Sequence, residues 1–170
     1  MRNSCLFKLV FLCLVGCSSV EKTPETFSSQ YVALDVPLES TEGQIALATI
    51  KCWSDVDTGN KPALRFVPLS ENQVKQVQEL FVQKLVPGAR AKWSSEMHVV
   101  DRVTNERGLA LGVCRILVEN DKAVVMVEHM PGPVQYTYLY HLAFTNGSWQ
   151  VQGRTNISTI DLAVPRRHFN

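Results

Sequence analysis

The sequence predicts an α+β domain in which two N-terminal helices pack on a curved antiparallel sheet of about five strands in a meander. Three observations carry this expectation. Apolar residues recur at helical spacing between residues 44 and 85. From Lys92 onward the period falls to two. Turn signals then recur at Asn105-Glu106-Arg107-Gly108, Asn120-Asp121, Pro131-Gly132-Pro133 and Asn146-Gly147. Helices first and a run of strands after place the helices on one face of the sheet.

The first helix follows Thr41-Glu42-Gly43-Gln44, which has the form of a capping box. Its face is Ile45, Ala48, Thr49, Cys52, Trp53 and Val56, and Gly59 suits a left-handed stop. Asn60-Lys61-Pro62 then suggests a short helical turn. The second helix, Gln73–Leu85, has the fuller signature. Ser70 is the N-cap, Gln73 completes the box, and Leu69 and Val74 form the hydrophobic staple. Its stripe is Val74, Val77, Leu80, Phe81 and Leu85, and Pro87-Gly88 ends it.

Strands follow near residues 93–104, 109–119, 122–130, 134–145 and 148–158. Their short connections make consecutive strands antiparallel neighbours. Asn146-Gly147 is the strongest hairpin signal among the turns.

Ahead of the domain stands a leader. Arg2 and Lys8 are basic, residues 9–15 are unbroken apolar, and Gly16 is small. The apolar run is far shorter than the roughly 20 residues a spanning helix needs. Leu14-Val15-Gly16-Cys17 resembles the lipobox of bacterial lipoproteins position by position. The resemblance implies that residues 1–16 are a signal peptide cut before Cys17. It also implies that the Cys17 thiol takes a diacylglycerol and that its new amine is acylated. Ser18 in the next position implies the outer membrane, facing the periplasm. Residues 17–37 then read as lipid anchor and polar tether, with Tyr31, Val32 and Leu34 able to dock on the domain, and residues 38–170 as the single α+β domain.

Removal of Arg2 and Lys8 leaves 15 basic residues against 16 acidic ones. A near-neutral chain carries no electrostatic footprint for nucleic acid. Of the five cysteines, Cys5 and Cys13 leave with the leader and Cys17 takes lipid. Cys52 and Cys114 are an even pair in an oxidising compartment and so a candidate disulfide, worth about 4 kcal/mol by loop closure. The alternative is two separately buried thiols.

Two helices followed by a curled antiparallel sheet resemble the nuclear-transport-factor-2-like (cystatin-like) cone. The matching pieces are helix Gln44–Val56 with its Cys-Trp pair, helix Gln73–Leu85, and the late hairpin from Tyr138 to Val151 around Asn146-Gly147, with Trp149 after the turn. The resemblance implies a concave sheet and a homodimer through its outer face. It does not imply one activity, because such a fold hosts enzymes, binders and scaffolds.

Alternation on residues 134–140 puts Tyr136, Tyr138 and Tyr140 on one face, where phenols could line a ligand pocket with His98 and His141. Cross-strand packing explains the same stripe. His98, His129 and His141 fall on different predicted strands, with Glu96 on the face of His98. A His–carboxylate pair there could serve as acid and base. The histidines have no metal-ligand spacing, and the chain has no phosphate loop and no nucleophile elbow. The expectation is therefore a non-catalytic envelope binding module without cofactor or metal, contacting an envelope protein or a small apolar ligand. The alternatives are an immunity or inhibitor lipoprotein against an envelope-acting toxin or enzyme, and a small hydrolase or isomerase built on the His–carboxylate pair.

Overall fold

The computed structural model describes residue 34 and residues 36–56 and 64–161. The leader, Cys17 and most of the tether lie outside the described residues, as do Tyr31, Val32, Gly59 and Asn60-Lys61-Pro62.

Among the described residues, two α-helices and eight strands run in the order α1 (Thr41–Val56), β1 (Leu64–Val67), α2 (Glu71–Val77), β2 (Leu85–Pro87), β3 (Ala91–Trp93), β4 (Val99–Asp101), β5 (Gly108–Glu119), β6 (Lys122–Met130), β7 (Val134–Thr145) and β8 (Ser148–Asp161). Six strands form one open mixed sheet in the order β2-β1-β5-β6-β7-β8. β1 runs parallel to both β2 and β5, and β5 to β8 form the antiparallel meander. β3 and β4 make a separate antiparallel hairpin.

The α+β class and the β5–β8 meander match the expectation. Two of its three turns rest on residues that tolerate the left-handed region: Asn120 between β5 and β6, and Asn146 and Gly147 between β7 and β8, have positive φ, as does Asn105 in the connection into β5.

Three features differ. The helices do not both precede the sheet, because β1 lies between them. Leu64–Val67 is buried at every position, as a strand flanked by two parallel neighbours must be, so it shows no alternation. The second helix ends at Val77 and continues only as one 3₁₀ turn, Gln78–Leu80. Its capping box forms as predicted, with the Ser70 N–H donating to Gln73 Oε1 at 2.9 Å and the Gln73 N–H donating to Ser70 Oγ at 3.3 Å. The exit is decided elsewhere: the Gln78 carboxamide donates to Gln83 O and accepts from the Leu85 N–H. Leu85 is thereby drawn into β2 alongside β1. The predicted strand 93–104 is likewise broken. Ser94 accepts from the His98 N–H through its hydroxyl, and Met97 turns with φ 58°.

α1 begins one residue earlier than its predicted box. Ser40 is the cap, accepting the Gly43 N–H at 3.0 Å. Its buried side chains include Ile45, Ala46, Thr49, Ile50, Trp53 and Ser54, and the Thr49 hydroxyl donates to Ile45 O at 2.9 Å. The main core joins Ile45, Ile50 and Trp53 to Leu111, Val113, Val125, Val127, Tyr140, Leu142 and Trp149. Val74 and Val77 of α2 close the same core against Val67, Leu69 and Leu85. The hairpin closes a second core of Leu64, Phe66, Val86, Ala91, Val99, Ala110 and Met130. Arg90 and the buried Asp101 pair across its base.

Candidate functional site

Antiparallel register builds the site. Val125 faces Tyr140, Val127 faces Tyr138 and His129 faces Tyr136 across β6 and β7. Val125 and Val127 are buried under α1, so period-two alternation carries His129 and all three tyrosines to the same helix-side face. Their rings form a continuous row. Trp53 of α1 meets His129 edge to face with centroids 5.5 Å apart. His129 and Tyr136 are 6.1 Å apart, Tyr136 and Tyr138 stack at 6.1 Å, and Tyr138 and Tyr140 meet edge to face at 6.5 Å. These separations lie in the attractive range for aromatic pairs.

An arginine stands near each end of the row. The guanidinium of Arg65, wholly buried on β1, lies 5.5 Å from the Trp53 ring centroid. Arg154 of β8, directly opposite Tyr140, lies 5.1 Å from the Tyr138 centroid. Both fall within cation–π range. The row is buried at both ends and half-open in the middle: Trp53, His129 and Tyr140 are buried, Tyr136 and Tyr138 between them are partly exposed, and Arg154 is exposed. Beside the open rungs β8 places Asn156 opposite Tyr138 and Thr159 opposite Tyr136, with Asn156 Nδ2 donating to Thr159 Oγ1 at 3.3 Å. Such an arrangement offers flat apolar area, polar tips and one cation on a rigid support, which is what ligand contact requires.

Burial pushes the Tyr140 phenol up, against the opposing pull of Arg154. Burial likewise raises the Cys52 thiol, with Arg154 lowering it and Asp55 raising it. Tyr140 and Cys52 both stay neutral at physiological pH.

Not all the predicted site residues converge. His141 follows Tyr140 and so faces the other side of the sheet, where it is exposed. His98 belongs to the β3–β4 hairpin, with Nε2 3.8 Å from Glu96 Oε2 on an exposed loop, and Glu96 also pairs with Arg107. Neither joins the tyrosines. The disulfide also does not form: Cys52 and Cys114 are free thiols. Cys52 sits by Arg154 and Tyr140, whereas Cys114 occupies the β5 bulge beside Glu128. Glu128 lies between the inward-facing Val127 and His129, so its side chain takes the far face of the sheet.

Sequence reasoning missed His129, Trp53, Arg65 and Arg154 as members of the row. For His129 the signal was present, since it continues the period of Val125 and Val127. For Arg65 the signal was a lone cation within Leu64–Val67. Among the described residues, no group of three or more His, Cys, Asp or Glu side chains is placed to hold a metal ion, and no helix is long and apolar enough to cross a membrane.

Compared with known proteins, the chain matches no family model, no curated protein and no solved structure.

Proposed function

We propose that this chain is a non-catalytic, lipid-anchored binding module of the bacterial envelope. Its ligand face is the half-open middle of the aromatic row, at Tyr136 and Tyr138. The observation that carries the reading is the stacked, half-exposed Tyr136–Tyr138 pair beneath Arg154, continuous with the buried Trp53–His129 contact. Packing on one side and exposure on the other make a preorganised surface, so binding orders few side chains. The anchor reading rests on Leu14-Val15-Gly16-Cys17, which would hold the domain at an outer-membrane surface facing the periplasm. An envelope protein or a small ligand with an apolar ring fits the face. A nucleic acid does not fit a chain so close to neutral.

The test compares crosslinked detergent pull-downs of the wild-type chain and of a Tyr136→Ala, Tyr138→Ala variant. Native mass spectrometry of the same samples reports any bound small molecule. One dominant partner or ligand, lost from the variant, supports the reading. Equal recovery from both proteins, or nothing bound to either, overturns it.

A further inference from the structure

We infer that Leu80, Val82 and Lys84 form a second, direct membrane contact, so that the domain lies against the bilayer in one orientation. The inference rests on the lipid-anchor reading, and its occupant is a phospholipid surface.

Three observations converge on this segment. After the 3₁₀ turn the chain alternates: Leu80, Val82 and Lys84 are exposed, while Phe81 and Gln83 are half-buried and Leu85 is buried. Leu80 is 61% exposed and Val82 93%, two large apolar side chains projecting together from one short loop. Phe81 packs on the main core and the Gln78 carboxamide bonds both Gln83 and Leu85, so the loop that presents them is held at both ends.

Lys84 completes the pattern. An apolar pair with an ammonium two residues on is the composition of a shallow bilayer contact, apolar groups at the acyl boundary and the cation among anionic headgroups.

The third observation is where the anchor arrives. Leu34 donates its N–H to Pro68 O at 2.8 Å, and Val36 O accepts from Gln73 Nε2 at 3.0 Å. The anchored end of the chain therefore joins the domain beside the first turn of α2. α2 and its 3₁₀ turn cover ten residues to Leu80, a length of about 16 Å. Sixteen residues lie between Cys17 and Leu34, and a flexible linker of that length would reach about 22 Å. The loop lies within reach of the surface that holds the lipid.

The experiment uses the chain from Cys17 onward, coupled through Cys17 to a maleimide phospholipid in phosphatidylethanolamine–phosphatidylglycerol vesicles. Coupling at neutral pH favours Cys17 over Cys52 and Cys114, whose thiols are half-buried and raised in pKa. Hydrogen–deuterium exchange of the peptide covering residues 78–84 is compared on and off vesicles. At least threefold slower exchange on vesicles, abolished in a Leu80→Asp, Val82→Asp variant of unchanged melting temperature, is the expected result. Unchanged exchange there, or slowing confined to another face, overturns the inference. The mass of Cys17 in protein from envelope membranes tests the lipid-anchor reading separately, because the chemical coupling works whether or not the cell acylates that residue.

Discussion

The guanidinium of Arg65 lies 5.5 Å from the centroid of the Trp53 ring, and this contact joins β1 to α1 inside the core. Arg65 is wholly buried and Trp53 nearly so. A desolvated cation over an indole is worth about 2 kcal/mol. Its worth to the fold lies as much in volume, since the long side chain fills space between helix and sheet.

Arg65→Ala should therefore cost about 3 kcal/mol in urea denaturation, through lost packing as well as lost charge contact. Arg65→Met, which keeps most of the volume and removes the need to bury a charge, should cost less than half of that. Equal losses in the two variants would show that charge rather than packing decides the contact.

Asp101 makes the stability of the hairpin depend on pH. Burial alone would raise its carboxyl, but the Val103 N–H, the Arg90 guanidinium and the Thr104 N–H outweigh that and hold it below the usual carboxylate range. A folded pKa below the unfolded value of about 3.9 stabilises the fold above that pH. The stabilisation is lost as pH falls through the folded pKa. Asp101→Asn should cost about 3 kcal/mol at pH 7. The gap to wild type should narrow below about pH 4, where the native carboxyl also becomes neutral. A gap that stays constant down to pH 2.5 would remove the carboxylate from this account.

The two thiols give a chemical check on the fold. Under denaturing, non-reducing conditions both Cys52 and Cys114 should be alkylated. In the native protein Cys114 should be the slow one. Burial first, then the Glu128 carboxylate, raise its pKa to about 11, against the opposing effect of the Glu128 N–H. At pH 8 about one thiol in a thousand is then the reactive thiolate. Peptide mapping after timed labelling separates the two sites, and a Cys52–Cys114 disulfide peptide would contradict the structure.

Gly43 tests the entry to α1. A Cβ there would stand 2.1 Å from Pro37 O and 2.8 Å from Leu38 Cα, because the incoming chain crosses the first helical turn. The obstruction is backbone, which cannot swing aside as a side chain does. Gly43→Ala should lose about 2 kcal/mol although alanine is the better helix former. A neutral or stabilising result in thermal denaturation would mean that the crossing segment moves freely.

The legible parts of the molecule are those with local causes. Ser70 and Gln73 announce a helix start because both partners of the reciprocal bond lie within one turn. Asn120, Asn146 and Gly147 announce hairpins because few residues tolerate the left-handed backbone those turns need. The tyrosine stripe follows from the pleat alone. The illegible parts have distant causes. Leu85 carries apolar helix periodicity and becomes a strand residue because β1, twenty residues earlier, offers it a parallel edge. Cys52 and Cys114 look like a pair on a count of cysteines and sit apart because one belongs to the helix and the other to a strand bulge.

By itself the sequence determined the α+β class, the antiparallel meander from β5 to β8, the α2 cap and the shared face of Tyr136, Tyr138 and Tyr140. Each depends on backbone preferences and hydrogen bonds between near neighbours. Only the tertiary structure decided the parallel β2-β1-β5 half of the sheet, the early end of α2, and the joining of Arg65, Trp53, His129 and Arg154 to the tyrosines. Those contacts form between elements far apart in the chain, and their free energy comes from burial that no short window of sequence contains.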